Sequence, residues 1–177
     1  MRTPHLIAAA YVAGDRGAGY RHAELAVWDE LQASREMFAA PWLSPEEGAM
    51  VLAEELDELW DEIRGNRVGL ARAEAAQAGA MALRFNADLY EVGGSALDRD
   101  RLAAGAAVAV RRGVGPQGRV LASSHEGFGF LRREFDALWS AIRFDDPPSL
   151  PAARVAAMSV RFIAEIGSVA AESRVAS

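Results

Sequence analysis

Leu52, Leu56, Leu59, Trp60 and Ile63 recur at three- and four-residue intervals between acidic positions. That spacing puts one apolar stripe along a helix. The stripe returns later as Leu131, Phe135, Leu138, Trp139 and Ile142. Ahead of the first stripe, Ser44-Pro45-Glu46-Glu47 supplies a capping hydroxyl, a proline for the first helical position and a glutamate three residues on. A helix is therefore expected over Glu46–Ile63, with Arg64-Gly65-Asn66 as its stop. Alanine-rich Leu70–Leu89 predicts a second helix, ending before Gly93-Gly94. Residues 125–143 and 151–168 form a matching pair, separated at Asp145-Asp146-Pro147-Pro148. Ala23–Phe38, with Leu25, Trp28 and Leu31 on one side, and the shorter Leu102–Arg112 add one helix before each pair. Residues 1–20 and 113–120 read as glycine-rich connections, and Glu172–Ser177 as a frayed tail.

The returning stripe belongs to a longer repeat. Ser44–Arg64 and Ser123–Arg143, 79 residues apart, are identical at 10 of 21 positions, none of them alanine. At an offset of 77, Ala80, Met81, Arg84, Phe85 and Ala87 return as Ala157, Met158, Arg161, Phe162 and Ala164. The expected fold is an all-α helical bundle built from two tandem helical repeats.

Composition narrows the chemistry. The 177 residues include no cysteine, so disulfides, zinc thiolates and cysteine nucleophiles are excluded. All 19 basic residues are arginine, which excludes Schiff-base and phosphate-loop lysines. A net charge of −6 gives no overall basic footprint for nucleic acid. No apolar run is long enough to cross a membrane, and the stretch Leu6–Gly14 makes a poor secretory signal. The expected location is cytoplasmic.

Each half serves as an internal control for the other. On the first long helix Glu54, Glu55 and Glu58 project together, opposite the core stripe, and on the next helix Glu74 and Gln77 share a face. In the second half Glu54, Glu58, Asp61 and Glu62 become Arg133, Ala137, Ser140 and Ala141, while Glu74 and Gln77 become Pro151 and Arg154. Only Glu55 keeps its acid, as Glu134. The stripe is kept twice and the acids once, the pattern of one specialised site and one supporting half. A lone acidic face is usually just solvated. Acids on two facing helices repel unless a cation separates them, and hard oxygen ligands suit Mg²⁺ or Mn²⁺. A di-iron centre would want Glu-x-x-His pairs, which His5, His22 and His125 do not supply.

E-E-x-x-E on one helix followed by E-x-x-D on the next is the signature of the MazG-type all-α nucleoside triphosphate pyrophosphohydrolases, relatives of the dimeric dUTPases. The chain resembles them over Pro45–Leu89 and, in degenerate form, over Ser123–Gly167. Glu54-Glu55-Leu56-Asp57-Glu58 fits the first motif; Glu74-Ala75-Ala76-Gln77 fits the second with Gln where the family usually has Asp. The resemblance divides the chain into a first MazG-like repeat at 1–92 carrying the metal site, a linker with a short helix at 93–120, and a degenerate repeat at 121–177. It implies metal-dependent cleavage of a nucleoside triphosphate to monophosphate and pyrophosphate. Glu55, Glu58, Glu74 and Gln77 would hold Mg²⁺ or Mn²⁺, and Glu54 would orient or deprotonate the attacking water. Arg133 and Arg154 are expected to bind substrate phosphates. The tandem copy would act as a covalent pseudo-dimer, in a monomer or a homodimer, with neither nucleic acid nor membrane as partner. The alternative is a non-catalytic nucleotide-binding or interaction protein on the same scaffold.

Other features carry less. Gly113-Val114-Gly115-Pro116-Gln117-Gly118 matches a dinucleotide fingerprint, but Pro116 lacks a donor and no strand precedes it, so it reads as a linker. Trp60 and Trp139 recur and are expected in the core. Trp28, Phe38 and Trp42 occur once and suit either packing or a nucleobase. Arg64 and Arg84, repeated as Arg143 and Arg161, are expected in structural pairs, as is Asp57, repeated as Asp136.

Overall fold

The computed structural model describes the backbone of residues 4–113 and 119–166, and side chains from residue 17 onward within those ranges. These residues form six α-helices and no strand: α1 Pro4–Met37, α2 Pro45–Arg64, α3 Val68–Leu89, α4 Ala96–Gly113, α5 Ser124–Arg143 and α6 Ser149–Ile166. The fold is an all-α bundle, as the periodicity predicts.

Local chemistry starts and stops the matched helices alike. Ser44 Oγ accepts from the Glu47 amide at 3.2 Å, while the Glu47 carboxylate accepts from the Leu43 amide at 2.9 Å. At α5, Ser123 Oγ accepts from Glu126 at 3.2 Å, and the Glu126 carboxylate accepts from Ala122 at 2.6 Å. Both caps satisfy otherwise orphaned amides. After α2 the left-handed residue is Asn66 (φ 53°), not Gly65 (φ −76°), and after α5 it is Asp145 (φ 58°). A short polar side chain tolerates that conformation.

Helices α3 and α6 form the central pair, with α2 laid on α3, α5 on α6, and α1 and α4 each touching both. Small side chains let the centre close. Ala71, Ala75, Ala78 and Ala82 of α3 are fully buried, and a β-carbon on Gly79 would meet Ser159 and Val27 at 3.0 Å. Gly48 and Gly127 permit the outer helices to approach equally closely: an added β-carbon would lie 2.8 Å from Phe85 in one half and 2.6 Å from Phe162 in the other. Trp60 on α2 stacks on Phe128 of α5 at 4.8 Å and meets the His125 ring edge-on at 5.5 Å.

Of the recurring arginines Arg84 and Arg161 are structural, whereas Arg64 and Arg143 are exposed, as are Asp57 and Asp136. Arg84 donates to Ser34 Oγ at 2.8 Å and to the Phe38 and Ala40 carbonyls at 2.7 Å each, and pairs with Asp88 at 3.3 Å. Its guanidinium lies 5.0 Å from the Trp42 ring, so Trp42 is a packing residue of that corner. Arg161 likewise donates to the Arg119 carbonyl at 3.0 Å and pairs with Glu165 at 3.2 Å. The Asp88 carboxylate takes the Trp42 amide at 3.1 Å, and Glu165 takes the Leu121 amide at 2.8 Å.

Three sequence expectations change. The glycine-rich start is helical from Pro4 and belongs to α1, which Tyr20 anchors through a 2.5 Å hydrogen bond to Glu165. Leu25 points to solvent at 59% exposure, because α1 buries Ala23, Val27 and Leu31 instead. The expected short helix at Leu102–Arg112 begins at Ala96, where Ser95 and Asp98 exchange capping bonds. The Gly113–Gly118 fingerprint lies largely outside the described residues, and the 172–177 tail lies wholly outside them.

Candidate metal centre

The turn Gly65–Arg67 folds α3 back along α2, so the polar side of α2 meets the first turns of α3. Leu52, Leu56, Leu59 and Ile63 hold α2 against the core. That rotation leaves Glu55 and Glu58 beside Glu74. One carboxylate oxygen from each lies within 4.8 Å of the others. Glu55 and Glu74 are partly buried and Glu58 is exposed.

Electrostatics registers the crowding. Burial pushes the Glu55 carboxyl up to about 7, assisted by the negative charges of Glu58, Glu74, Glu30 and Glu54 in that order. Glu74 is also raised, first by burial and then by Glu58, Glu62 and Glu30. Glu55 therefore holds a proton more readily near neutral pH than an ordinary carboxylate does. A hard cation would take over that role, since the group offers only oxygen donors.

The sequence-predicted residues divide into two sets. Glu55, Glu58 and Glu74 converge. Gln77 joins them through its amide nitrogen, which donates to Glu74 at 2.8 Å. In this arrangement it orients a carboxylate. Glu54 is exposed on α2, outside the converging oxygens, and acts on Glu55 only as the weakest of its four acidic neighbours. Arg133 donates to Glu134 at 2.8 Å and lies 5.1 Å over the Phe130 ring. Arg154 is exposed on α6. Among the described residues, no hydrogen bond or ion pair joins either arginine to the acids.

Glu30 of α1 is the participant that sequence reasoning missed. It lies outside any motif and reaches the field of both Glu55 and Glu74 only because α1 packs on α3. Glu62 contributes to the same field, although Arg67 binds it through two nitrogens. Asp88, on the same helix as Glu74, is committed elsewhere: Arg35 holds it at 2.6 Å.

Compared with protein-family models, with curated proteins and with solved structures, the chain matches none. What can be said of function rests on the chain's own residues.

Proposed function

We propose that the protein is a Mg²⁺-dependent nucleoside triphosphate pyrophosphohydrolase of MazG-like type. The observation that carries this reading is the meeting of three carboxylates from two helices, two of them raised in pKa. The E-E-x-x-E and E-x-x-Q spacing supports the choice of reaction. Glu55, Glu58 and Glu74 are the residues that would hold Mg²⁺ or Mn²⁺. A bound divalent cation would offset phosphate charge and acidify a bound water.

The chain's own groups supply the rest. Gln77 fixes the Glu74 carboxylate through its amide. Glu54, exposed beside Glu55, accepts the proton of the water that attacks the α-phosphorus, and the leaving group departs as pyrophosphate. The second half acts as support, so the working unit is a covalent pseudo-dimer in a cytoplasmic chain that is a monomer or a homodimer. Its origin as a tandem copy is supported by the two capping boxes and the Arg84 and Arg161 corners. Arg133 and Arg154 also bind phosphate in this proposal, but from the other half of the molecule.

One observation favours a second reading, a nucleotide-binding protein without turnover. Gln77 is neutral and already bonded to Glu74, so the centre has one charge fewer than the E-x-x-D pattern provides.

The test is pyrophosphate release from a panel of nucleoside triphosphates with Mg²⁺, Mn²⁺ or EDTA, beside Glu58→Ala. Metal-dependent release lost in the variant supports the enzyme. Silence across the panel, with metal-dependent thermal stabilisation by nucleotide, selects the binding protein.

A further inference from the structure

The turn that joins α2 to α3 and the turn that joins α5 to α6 share their backbone bonds and differ in one side-chain pair. The Arg67 amide donates to the Glu62 carbonyl at 3.0 Å, and the Asp146 amide donates to the Ala141 carbonyl at 2.9 Å. Each follows a left-handed residue, Asn66 or Asp145. Glu62 is therefore matched by Ala141 and Arg67 by Asp146, 79 residues on. The turn forms with either residue, so its shape does not call for an arginine. Arg84 and Arg161, by contrast, recur and hold matching corners. The Glu62–Arg67 pair stands only in the half that has the acid centre.

That pair sits beside the centre. Arg67 donates to the Glu62 carboxylate through Nε at 2.5 Å and through a terminal nitrogen at 3.1 Å. Glu62 lies one helical turn beyond Glu58 on α2 and adds its charge to the field of Glu74. Among the described residues, it is the one acid in the fields of Glu55 and Glu74 that an ion pair holds. Gly65 makes room for the guanidinium. Its φ of −76° is open to any residue, but a β-carbon there would meet the Arg67 guanidinium carbon at 2.5 Å. In the other turn, where no arginine needs the space, Phe144 stands at that position. Arg67 is 51% exposed, and a bridge so open to water adds little to stability.

We propose that Arg67 is a substrate-binding residue, which leaves Glu62 for an oxygen of a di- or triphosphate when the acid centre takes that group as its metal complex. The inference rests on the reading of the acid centre as a cation site for phosphate, and it holds with or without turnover. The acids hold the cation, but they repel the phosphate oxygens that the cation does not cover. A guanidinium one helical turn from Glu58 offsets that repulsion. Its planar fork matches a phosphate as it matches the Glu62 carboxylate. The exposed bridge to Glu62 costs little to open. In the empty centre it keeps the arginine away from Glu55, Glu58 and Glu74, whose oxygens stay open to the cation.

The experiment is calorimetric titration of inorganic pyrophosphate, in excess Mg²⁺, into the full chain and into Arg67→Ala, with Mn²⁺ alone titrated in parallel. Wild type is expected to bind pyrophosphate, and Arg67→Ala to bind it about tenfold more weakly, the worth of one charge-assisted contact. Mn²⁺ alone is expected to bind Arg67→Ala at least as tightly as wild type, because a positive charge has left the field. Glu62→Gln releases the arginine and is expected to tighten pyrophosphate binding, by less where residue 67 is already alanine. No pyrophosphate binding by wild type, equal affinity in Arg67→Ala, or a matching loss for Mn²⁺ overturns the proposal. So does an equal effect of Glu62→Gln in both backgrounds. Arg67 lies outside the core, so the variant keeps its fold; an unchanged unfolding midpoint verifies it. Pyrophosphate release from nucleoside triphosphates by wild type is scored separately. Its absence removes the enzyme and leaves the binding result standing, whereas release with equal affinities removes Arg67 alone.

Discussion

Arg35 on α1 binds Asp100 on α4 at 2.7 Å while its other terminal nitrogen binds Asp88 on α3 at 2.6 Å. Both carboxylates are almost wholly buried. One guanidinium thus ties three helices, and the exchanged pair Glu24–Arg111 repeats the α1–α4 tie at 2.6 Å. Arg35→Ala leaves Asp100 without its cation and Asp88 with Arg84 alone. A loss of about 3 kcal/mol or more is expected, the usual consequence of breaking a buried pair from one side. Urea unfolding measures it; a loss below 1 kcal/mol would mean the pair is solvated.

Glycines two residues apart on α5 should respond with opposite signs. Gly127→Ala places a methyl 2.6 Å from Phe162, an overpacking expected to cost about 1–3 kcal/mol. Gly129 is exposed and its added methyl meets nothing within 4 Å. Gly129→Ala should therefore stabilise by roughly 0.5–1 kcal/mol through helix propensity. Equal effects at the two positions would contradict the packing of α5 on α6.

The acid centre should make metal-free stability depend on pH in an unusual direction. Glu55 has a folded pKa of about 7 against an ordinary 4.5, so the folded chain binds its proton more tightly than the unfolded chain. Its ionisation therefore opposes folding. The contribution is most favourable below about pH 4.5 and is lost as pH rises through 7. Unfolding midpoints in EDTA at pH 5, 6, 7 and 8 should show this component falling, and Glu55→Gln should remove it. Carboxyl NMR that finds Glu55 titrating near 4.5 would refute it.

Divalent cations should reverse that penalty. With Mg²⁺ or Mn²⁺ present, wild type is expected to gain several degrees in Tm, by linkage to the folded state. Glu58→Ala and Glu74→Ala should each gain far less. Equal gains in all three proteins would place any cation elsewhere.

Gln77→Asp tests the neutral member of the group. It removes the 2.8 Å amide bond to Glu74 and adds a further carboxylate to the field around Glu55 and Glu74. In EDTA it should destabilise the chain at pH 8, and with Mg²⁺ it should bind metal more tightly than wild type. A titration showing unchanged metal affinity would mean that position 77 lies outside the coordination sphere.

Much of the bundle was legible because its signals are local. Ser44 and Ser123 announce their helices through bonds that span four residues, and the stripe of Leu52, Leu56, Leu59 and Ile63 needs only the helical period. Glu55, Glu58 and Glu74 could be gathered because a short turn joins their helices. Helix α1 resisted, since alanine and glycine dominate its first half and its buried face is Ala23, Val27 and Leu31, with Leu25 left outside. Glu30 resisted for a deeper reason. Its relation to Glu55 arises from helices brought together across the fold, and nothing near it in the chain records that.

The contact between Gly79 and Ser159 has a consequence for how this molecule can be altered. Glu74 lies on the same helix as Gly79, five residues away, and Ser159 belongs to a helix that contributes no carboxylate to the centre. Ser159 is fully buried, so a bulkier residue there has no free space and has to shift α6 against α3. A substitution at 159 therefore strains the helix that carries Glu74, although it lies outside the acid centre. The second half, which supplies none of the converging acids, thus packs directly on the helix that carries one of them.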